Sequence, residues 1–233
     1  DGLWGPVAVD PVQPNMVYQI HYAGLRRSYD QGDTFDILPL PRPAGFEDEN
    51  RYTIRYDSLV LAPPILGETT PVMIVTGSIE DRTILQYPQS LTTGVIWRSL
   101  DRGDTWQVAQ VAAGFSGVKT AVFDPQAPHI WYAGAAEWVA GASFMRVLFS
   151  NDSGQTWEVL PGFGDLPGEA IEDMAVNPIT AQVLAAYGSG LRASADLGQS
   201  WSPRRSPSMG RGTYFTELIY TPGPSPYLYA ASS

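Results

Sequence analysis

An eight-residue pattern, Ser-x-Asp-x-Gly-x-Thr/Ser-aromatic, occurs four times without gaps in this 233-residue chain. The copies run from Ser28 to Phe35, Ser99 to Trp106, Ser150 to Trp157 and Ser194 to Trp201. They contain Asp30 and Gly32, Asp101 and Gly103, Asp152 and Gly154, and Asp196 and Gly198. A short carboxylate can accept backbone N–H groups a few residues on and close a turn. The glycine supplies the positive φ such a turn demands. The flanking hydroxyls satisfy further backbone groups, and the closing aromatic starts a strand and buries a large apolar area. The four aspartates are therefore read as staples of hairpin turns and not as catalytic carboxylates.

A looser motif fixes the phase of the repeat. An apolar run reaches a proline at Val7–Pro11, Leu59–Pro63, Ala121–Pro125 and Met174–Pro178, and again at Glu217–Pro222, where no box follows. Proline removes a ladder donor and stops the strand. A β-rich run comes next: Met16 to Tyr22, Val72 to Gly77, His129 to Gly134, Gln182 to Gly188 and Tyr227 to Ala231. Each repeat then reads strand A, proline turn, strand B, loop, strand C, box turn, strand D. Four antiparallel strands repeating at this scale predict an all-β propeller. The expected blades lie at about 6–38, 56–110, 118–160 and 171–203, within one domain over 1–233. A partial fifth covers about 213–233. Its missing strands C and D leave two alternatives, a fragment of a larger ring or strands supplied by a second chain at the open edge after Tyr229.

On these motifs the chain resembles the Asp-box, or BNR-repeat, propellers, which include sialidase-like, sortilin-like, xyloglucanase-like and photosystem II assembly factor-like members. The resemblance implies the fold and leaves the chemistry open, because those families share the turn and not the activity. A sialidase would need an arginine triad, an acid/base carboxylate and a Tyr activated by a Glu. The family's Arg-Ile-Pro signature is absent, and Arg26-Arg27-Ser28 runs straight into the first box instead. Arg51, Arg55, Arg82 and Arg146 could contribute to a triad, but no spacing singles out three, so no catalytic residue is assigned.

Insertions point to where function sits. From Pro11 to Asp30 there are 19 residues, from Pro63 to Asp101 38, from Pro125 to Asp152 27 and from Pro178 to Asp196 18. The second and third repeats thus carry extra B–C sequence, Ile79–Gly94 and Ala135–Met145. From Asp30 to Pro63 there are 33 residues, against 24 to 26 for the later equivalents, which marks Pro39–Tyr52 as extra D–A sequence. Antiparallel order places B–C and D–A loops on the face opposite the boxes, where loops on a rigid scaffold gather ligands. The candidate contact residues are Glu47, Asp48, Arg51, Glu80, Asp81, Arg82, Tyr87, Glu137 and Trp138.

Composition narrows the partners. The formal charge is −10 and Lys119 is the only lysine among 14 basic residues, a balance that argues against nucleic acid. We read the arginine excess mainly as a coding bias. The absence of cysteine excludes disulfides and thiolate sites, and with only two histidines, His21 and His129, a histidine-based metal site has almost no ligands to draw on. No cofactor or metal is expected. No apolar stretch approaches the ~18 residues of a membrane span. Asp1-Gly2-Leu3-Trp4 lacks a leader's basic start, so the chain is either cytosolic or has lost a leader. The reading is a binding or assembly scaffold for a glycan or protein, exported from a bacterial cell. The alternative is a glycoside hydrolase fragment with carboxylates on the same face.

Overall fold

The computed structural model describes residues 5–21, 24–83, 92–110, 114–163, 171–188, 190–204 and 215–232. The chain divides into two compact units, Asp1–Val118 and Lys119–Ser233, and each is taken by itself.

The first unit holds two four-stranded antiparallel sheets. One pairs β1 (Val7–Val9), β2 (Val17–His21), β3 (Gly24–Ser28) and β4 (Asp36–Leu38) in chain order. The other pairs β5 (Tyr52–Ala62), β6 (Val72–Asp81), β7 (Thr92–Ser99) and β8 (Gln107–Gln110), also in order. Their facing sides share one core containing Tyr18, Ile20, Leu25, Leu59, Val75 and Trp97. A bulge between Tyr56 and Ser58 bends β5 against Gly77, where an added Cβ would lie 2.1 Å from the Arg55 carbonyl oxygen. Only glycine fits beside that bend.

The second unit carries β9 (Phe115–Asp124, whose residues up to Val118 fall in the first unit), β10 (Ala127–Val139), β11 (Ala142–Ser150) and β12 (Glu158–Leu160) as one sheet. A 3-10 turn, Pro161–Phe163, follows. The next sheet is β13 (Asp173–Val176), β14 (Val183–Tyr187), β15 (Gly190–Ser194) and β16 (Ser202–Arg204). A two-stranded sheet of β17 (Phe215–Tyr220) and β18 (Leu228–Ser232) completes the unit. One core joins the first pair of sheets through Tyr132, Val147, Met174 and Val176. A second joins β13–β16 to β17–β18 through Ala175, Leu184, Leu218 and Tyr220. Among the described residues the architecture is four four-stranded propeller blades and two strands of a fifth, and no described helix is long and apolar enough to cross a membrane.

All four boxes form the same turn between the third and fourth strands of their sheets. In the first, Ser28 Oγ donates to Asp30 Oδ1 at 2.7 Å and accepts Gly32 N at 2.8 Å. Asp30 accepts Thr34 N at 2.9 Å and Thr34 Oγ1 at 2.6 Å. The contacts recur around Asp101, Asp152 and Asp196. Gln31, Arg102, Ser153 and Leu197 hold φ of 63, 59, 62 and 58°, each followed by a positive-φ glycine. The closing indoles of Trp106, Trp157 and Trp201 donate to the carbonyls of Gly103, Gly154 and Gly198.

The turns before strand B have staples that the proline motif did not reveal. Asp10 accepts Val12 N at 2.7 Å, Asp124 accepts Gln126 N at 2.8 Å and Asn177 accepts Ile179 N at 2.9 Å. The side chain just before the proline closes the turn that the proline opens.

Candidate functional site

In the first unit, the Pro39–Tyr52 segment is held by its own acidic residues. Glu47 accepts Gly45 N at 3.0 Å, which draws its carboxyl below the ordinary value. Asp48 Oδ1 accepts Asn50 N at 2.9 Å and Arg51 N at 3.3 Å, closing an Asx turn. Arg42 donates to the carbonyls of Phe46 and Tyr52 and faces Glu49 at 3.4 Å. These polar groups build the loop.

At the end of β6, the Arg51 guanidinium donates through Nε and Nη2 to Asp81 Oδ2, at 3.0 and 2.8 Å. Asp81 Oδ1 accepts Thr83 N at 2.9 Å and Thr83 Oγ1 at 2.6 Å. Those bonds, Arg51 first, outweigh the effect of burial and hold the Asp81 carboxyl at about 2. It stays an anion and has no proton to donate at neutral pH. Arg82 donates through Nε to Thr53 Oγ1, and its amide reaches the Arg51 carbonyl at 2.8 Å. Glu80 is exposed on β6, opposite Thr53 and Thr92. Tyr87 lies outside the described residues. The segment thus unites Arg51, Asp81, Arg82 and Thr53, while Glu47 and Asp48 bond locally.

In the second unit, Ala135–Met145, expected as inserted B–C loop, is a hairpin. β10 and β11 stay paired to Val139↔Ala142, and Ala140 and Gly141 make the turn with φ of 50 and 88°. The run alternates well enough to extend the ladder, and the extra residues lengthen strands that were already there. Arg146 donates to Glu137 at 2.7 Å and lies over the Phe144 ring at 5.4 Å. Trp138 sits opposite Ser143 and is 39% exposed, so its indole is open to a partner near the tip of the β10–β11 ribbon. Among the possible triad arginines, Arg51, Arg55 and Arg146 each face a carboxylate, at 2.8, 3.1 and 2.7 Å.

One group escaped the sequence reading. Asp173, at the start of β13, accepts Thr120 Oγ1 from β9 at 2.9 Å and Leu218 N from β17 at 2.7 Å. Burial pushes its carboxyl above the ordinary value, the accepted bonds oppose this, and the Glu217 charge adds to the rise. Lys119 and Glu172 pair beside it. The signal was available: Asp173 stands five residues before its anchor proline, the place held by Ser58, Thr120 and Glu217 in other repeats. That register is polar in four of the five repeats, the first having Pro6 there. Among the described residues, no three His, Asp or Glu side chains gather as a metal site needs.

No protein-family model matches the chain, and no curated protein sequence matches it. Solved structures do. An ancestral GH74 enzyme superposes with a TM-score of 0.66 at 15% identity, over 100% of this chain and 29% of its own. The chain has a β-propeller fold. A GH74 xyloglucanase from Xanthomonas campestris matches at TM-score 0.43 and 18% identity, over 98% of this chain and 42% of its own. Trypanosoma rangeli sialidase, solved with sialic acid, matches at 0.49 and 12%, over 88% and 36%. This chain therefore spans less than half of each of these relatives, and identities this low carry fold without chemistry.

Proposed function

We propose that this chain is a glycan-contacting propeller scaffold, exported from a bacterial cell, whose insertions bind and do not cleave. The observation that carries the reading is how four of the candidate carboxylates are engaged, Glu80 being exposed on β6. Glu47 and Asp48 bond turn amides, Asp81 is neutralised by Arg51, and Glu137 faces Arg146. A glycoside hydrolase needs a carboxyl that holds a proton near neutrality beside a second carboxylate. Asp81, held at about 2, has the opposite character. The exposed Trp138 indole supplies a flat apolar platform of the kind that stacks on a sugar face. That platform is why a saccharide is chosen here as the ligand class over a protein.

The test is a neutral-oligosaccharide array and titration on the 233-residue chain, read by indole fluorescence, with reducing-sugar release measured in parallel. Saturable binding that Trp138→Ala abolishes, without sugar release, is the expected result. Binding unchanged by that substitution would overturn the assignment of Trp138.

A second reading, a glycoside hydrolase, is favoured by one observation. The Asp173 carboxyl is raised by burial and stands near the Glu217 charge, which is the electrostatic character of a general acid. Sugar release by the intact chain that Asp173→Asn eliminates would establish this reading in place of the first.

A further inference from the structure

Asp10, Asp124 and Asn177 each stand just before an anchor proline and staple the turn that follows. Asn177 accepts Ile179 N and Thr180 N at 2.9 and 3.0 Å, much as Asp10 accepts Val12 N and Gln13 N at 2.7 and 2.9 Å. An amide oxygen therefore suffices for the turn, and the charge of an aspartate there answers to something else. Asp10 and Asp124 are 0% and 3% exposed, and a buried carboxylate is costly unless a positive group meets it.

In the first unit that group is Arg102, the residue after the box aspartate Asp101. Its guanidinium donates to Asp10 Oδ2 at 2.7 Å, and its carbonyl accepts the Tyr18 hydroxyl at 3.2 Å. The second unit repeats this framework without the guanidinium. Tyr132 stands seven residues after its anchor proline, as Tyr18 does, and Leu197 follows the box aspartate Asp196 where Arg102 follows Asp101. Leu197 is uncharged and 44% exposed. Phe149 takes the register position of Arg27 and packs on Tyr132, with ring centroids 5.5 Å apart. Arg102 also donates to the Thr69 carbonyl, in the turn before the next strand B, at 3.3 Å. Gln126 makes the like contact in the second unit, to the Pro178 carbonyl at 3.2 Å, and it is neutral.

Among the described residues Asp124 forms no ion pair, and the fully buried Tyr132 hydroxyl finds no partner. Burial pushes that hydroxyl's pKa up, and the charges of Asp124 and then Asp196 add to the rise, which puts both carboxylates near it. Asp196 is already engaged by Ser194 and Ser200, so Asp124 is the uncompensated one.

From this comparison we infer that the second unit binds one small monovalent cation between the Asp124 carboxylate and the Tyr132 hydroxyl oxygen, where the first unit places the Arg102 guanidinium. One uncompensated carboxylate sets the charge at one. Carboxylate and hydroxyl oxygens are hard donors, which suits sodium or potassium, whereas calcium or magnesium calls for a fuller set of oxygen ligands.

The test is thermal unfolding of the 233-residue chain at constant ionic strength, with tetramethylammonium chloride replaced stepwise by sodium or potassium chloride. Tetramethylammonium is too bulky for the site. A cation bound to the folded chain alone raises the midpoint by mass action, so a saturable rise with at least one of the two ions is expected. Asp124→Asn keeps the turn acceptor, as Asn177 does, and is expected to fold and to lose the rise. Leu197→Arg restores the tethered cation. It is expected to match or exceed the wild-type midpoint in tetramethylammonium and to respond to neither ion. Tyr132→Phe is expected to gain stability in tetramethylammonium alone and to need more of the cation for the same rise. A wild-type midpoint that is the same in all three salts would overturn the proposal, with water as the partner of Tyr132. A rise that Asp124→Asn retains would overturn it as well.

Discussion

The Arg102 guanidinium donates through Nε to the fully buried carboxylate of Asp10 at 2.7 Å, tying the second box turn to the first proline turn. The carbonyl of the same Arg102 accepts Tyr18 Oη at 3.2 Å and Arg27 Nη1 at 2.8 Å. Arg27 also reaches Asp104 at 2.8 Å. A residue forced to positive φ by its turn thus becomes the latch between two sheets. Arg102→Ala leaves Asp10 buried with turn amides alone and is expected to cost about 2–4 kcal/mol. Adding Asp10→Asn should recover part of that loss, because the stranded charge is gone. Urea unfolding of the two variants measures both terms.

Two tyrosines seven residues beyond their anchor prolines make a controlled pair. Tyr18 donates its hydroxyl to Arg102, whereas the buried Tyr132 hydroxyl finds no partner among the described residues. An unmet buried hydroxyl costs free energy that phenylalanine does not. Tyr132→Phe is expected to raise the unfolding midpoint, by up to about 1 kcal/mol, and Tyr18→Phe to lower it by a similar amount. Equal effects of one sign would refute the distinction.

Opposite pH signatures follow from the box aspartates and Asp173. Bonds from Ser28 and Thr34 hold Asp30 at about 2, and bonds from Ser200 and Ser194 hold Asp196 at about 2, against an ordinary 3.8. Their folded pKa lies below the unfolded one, so their contribution is present above about pH 4 and lost as pH falls toward 2. Asp173 is raised, first by burial, so its ionisation opposes folding increasingly as pH climbs above 3.8. Asp173→Asn should therefore match or exceed wild-type stability at pH 7, with the advantage shrinking toward pH 4. Urea midpoints across that range decide it, and a deficit widening with pH would contradict the sign.

At the tip of the β10–β11 ribbon, Ala140 holds φ 50° without a glycine's freedom. A two-residue turn with both φ positive favours Asn-Gly. Ala140→Asn should raise the melting temperature, by a few tenths to about 1 kcal/mol of stability. It should also leave Trp138 in place, so saccharide binding is expected to be unchanged.

The sheets were legible because their punctuation is local. Box, proline and glycine each act within a few residues, so strand order and turn position follow from spacing. The candidate site was less legible because its partners lie far apart in sequence. Arg51 meets Asp81 across 30 positions, and Asp173 meets Leu218 across 45. Nothing in either segment announces the other. The Ala135–Met145 hairpin is hidden for a different reason. Its turn uses Ala140-Gly141, which lacks the Asn or Asp that signals a hairpin, so length alone suggested a loop.

Strand order that repeats chain order in every sheet has a consequence for biosynthesis. Each strand's ladder partner is the one made immediately before it, and each box turn closes within eight residues. A nascent chain leaving the ribosome can therefore complete one sheet before the next exists, without holding hydrophobic strands open for a distant mate. The vulnerable moment comes later, when a finished sheet waits with its apolar side bare for the one that follows.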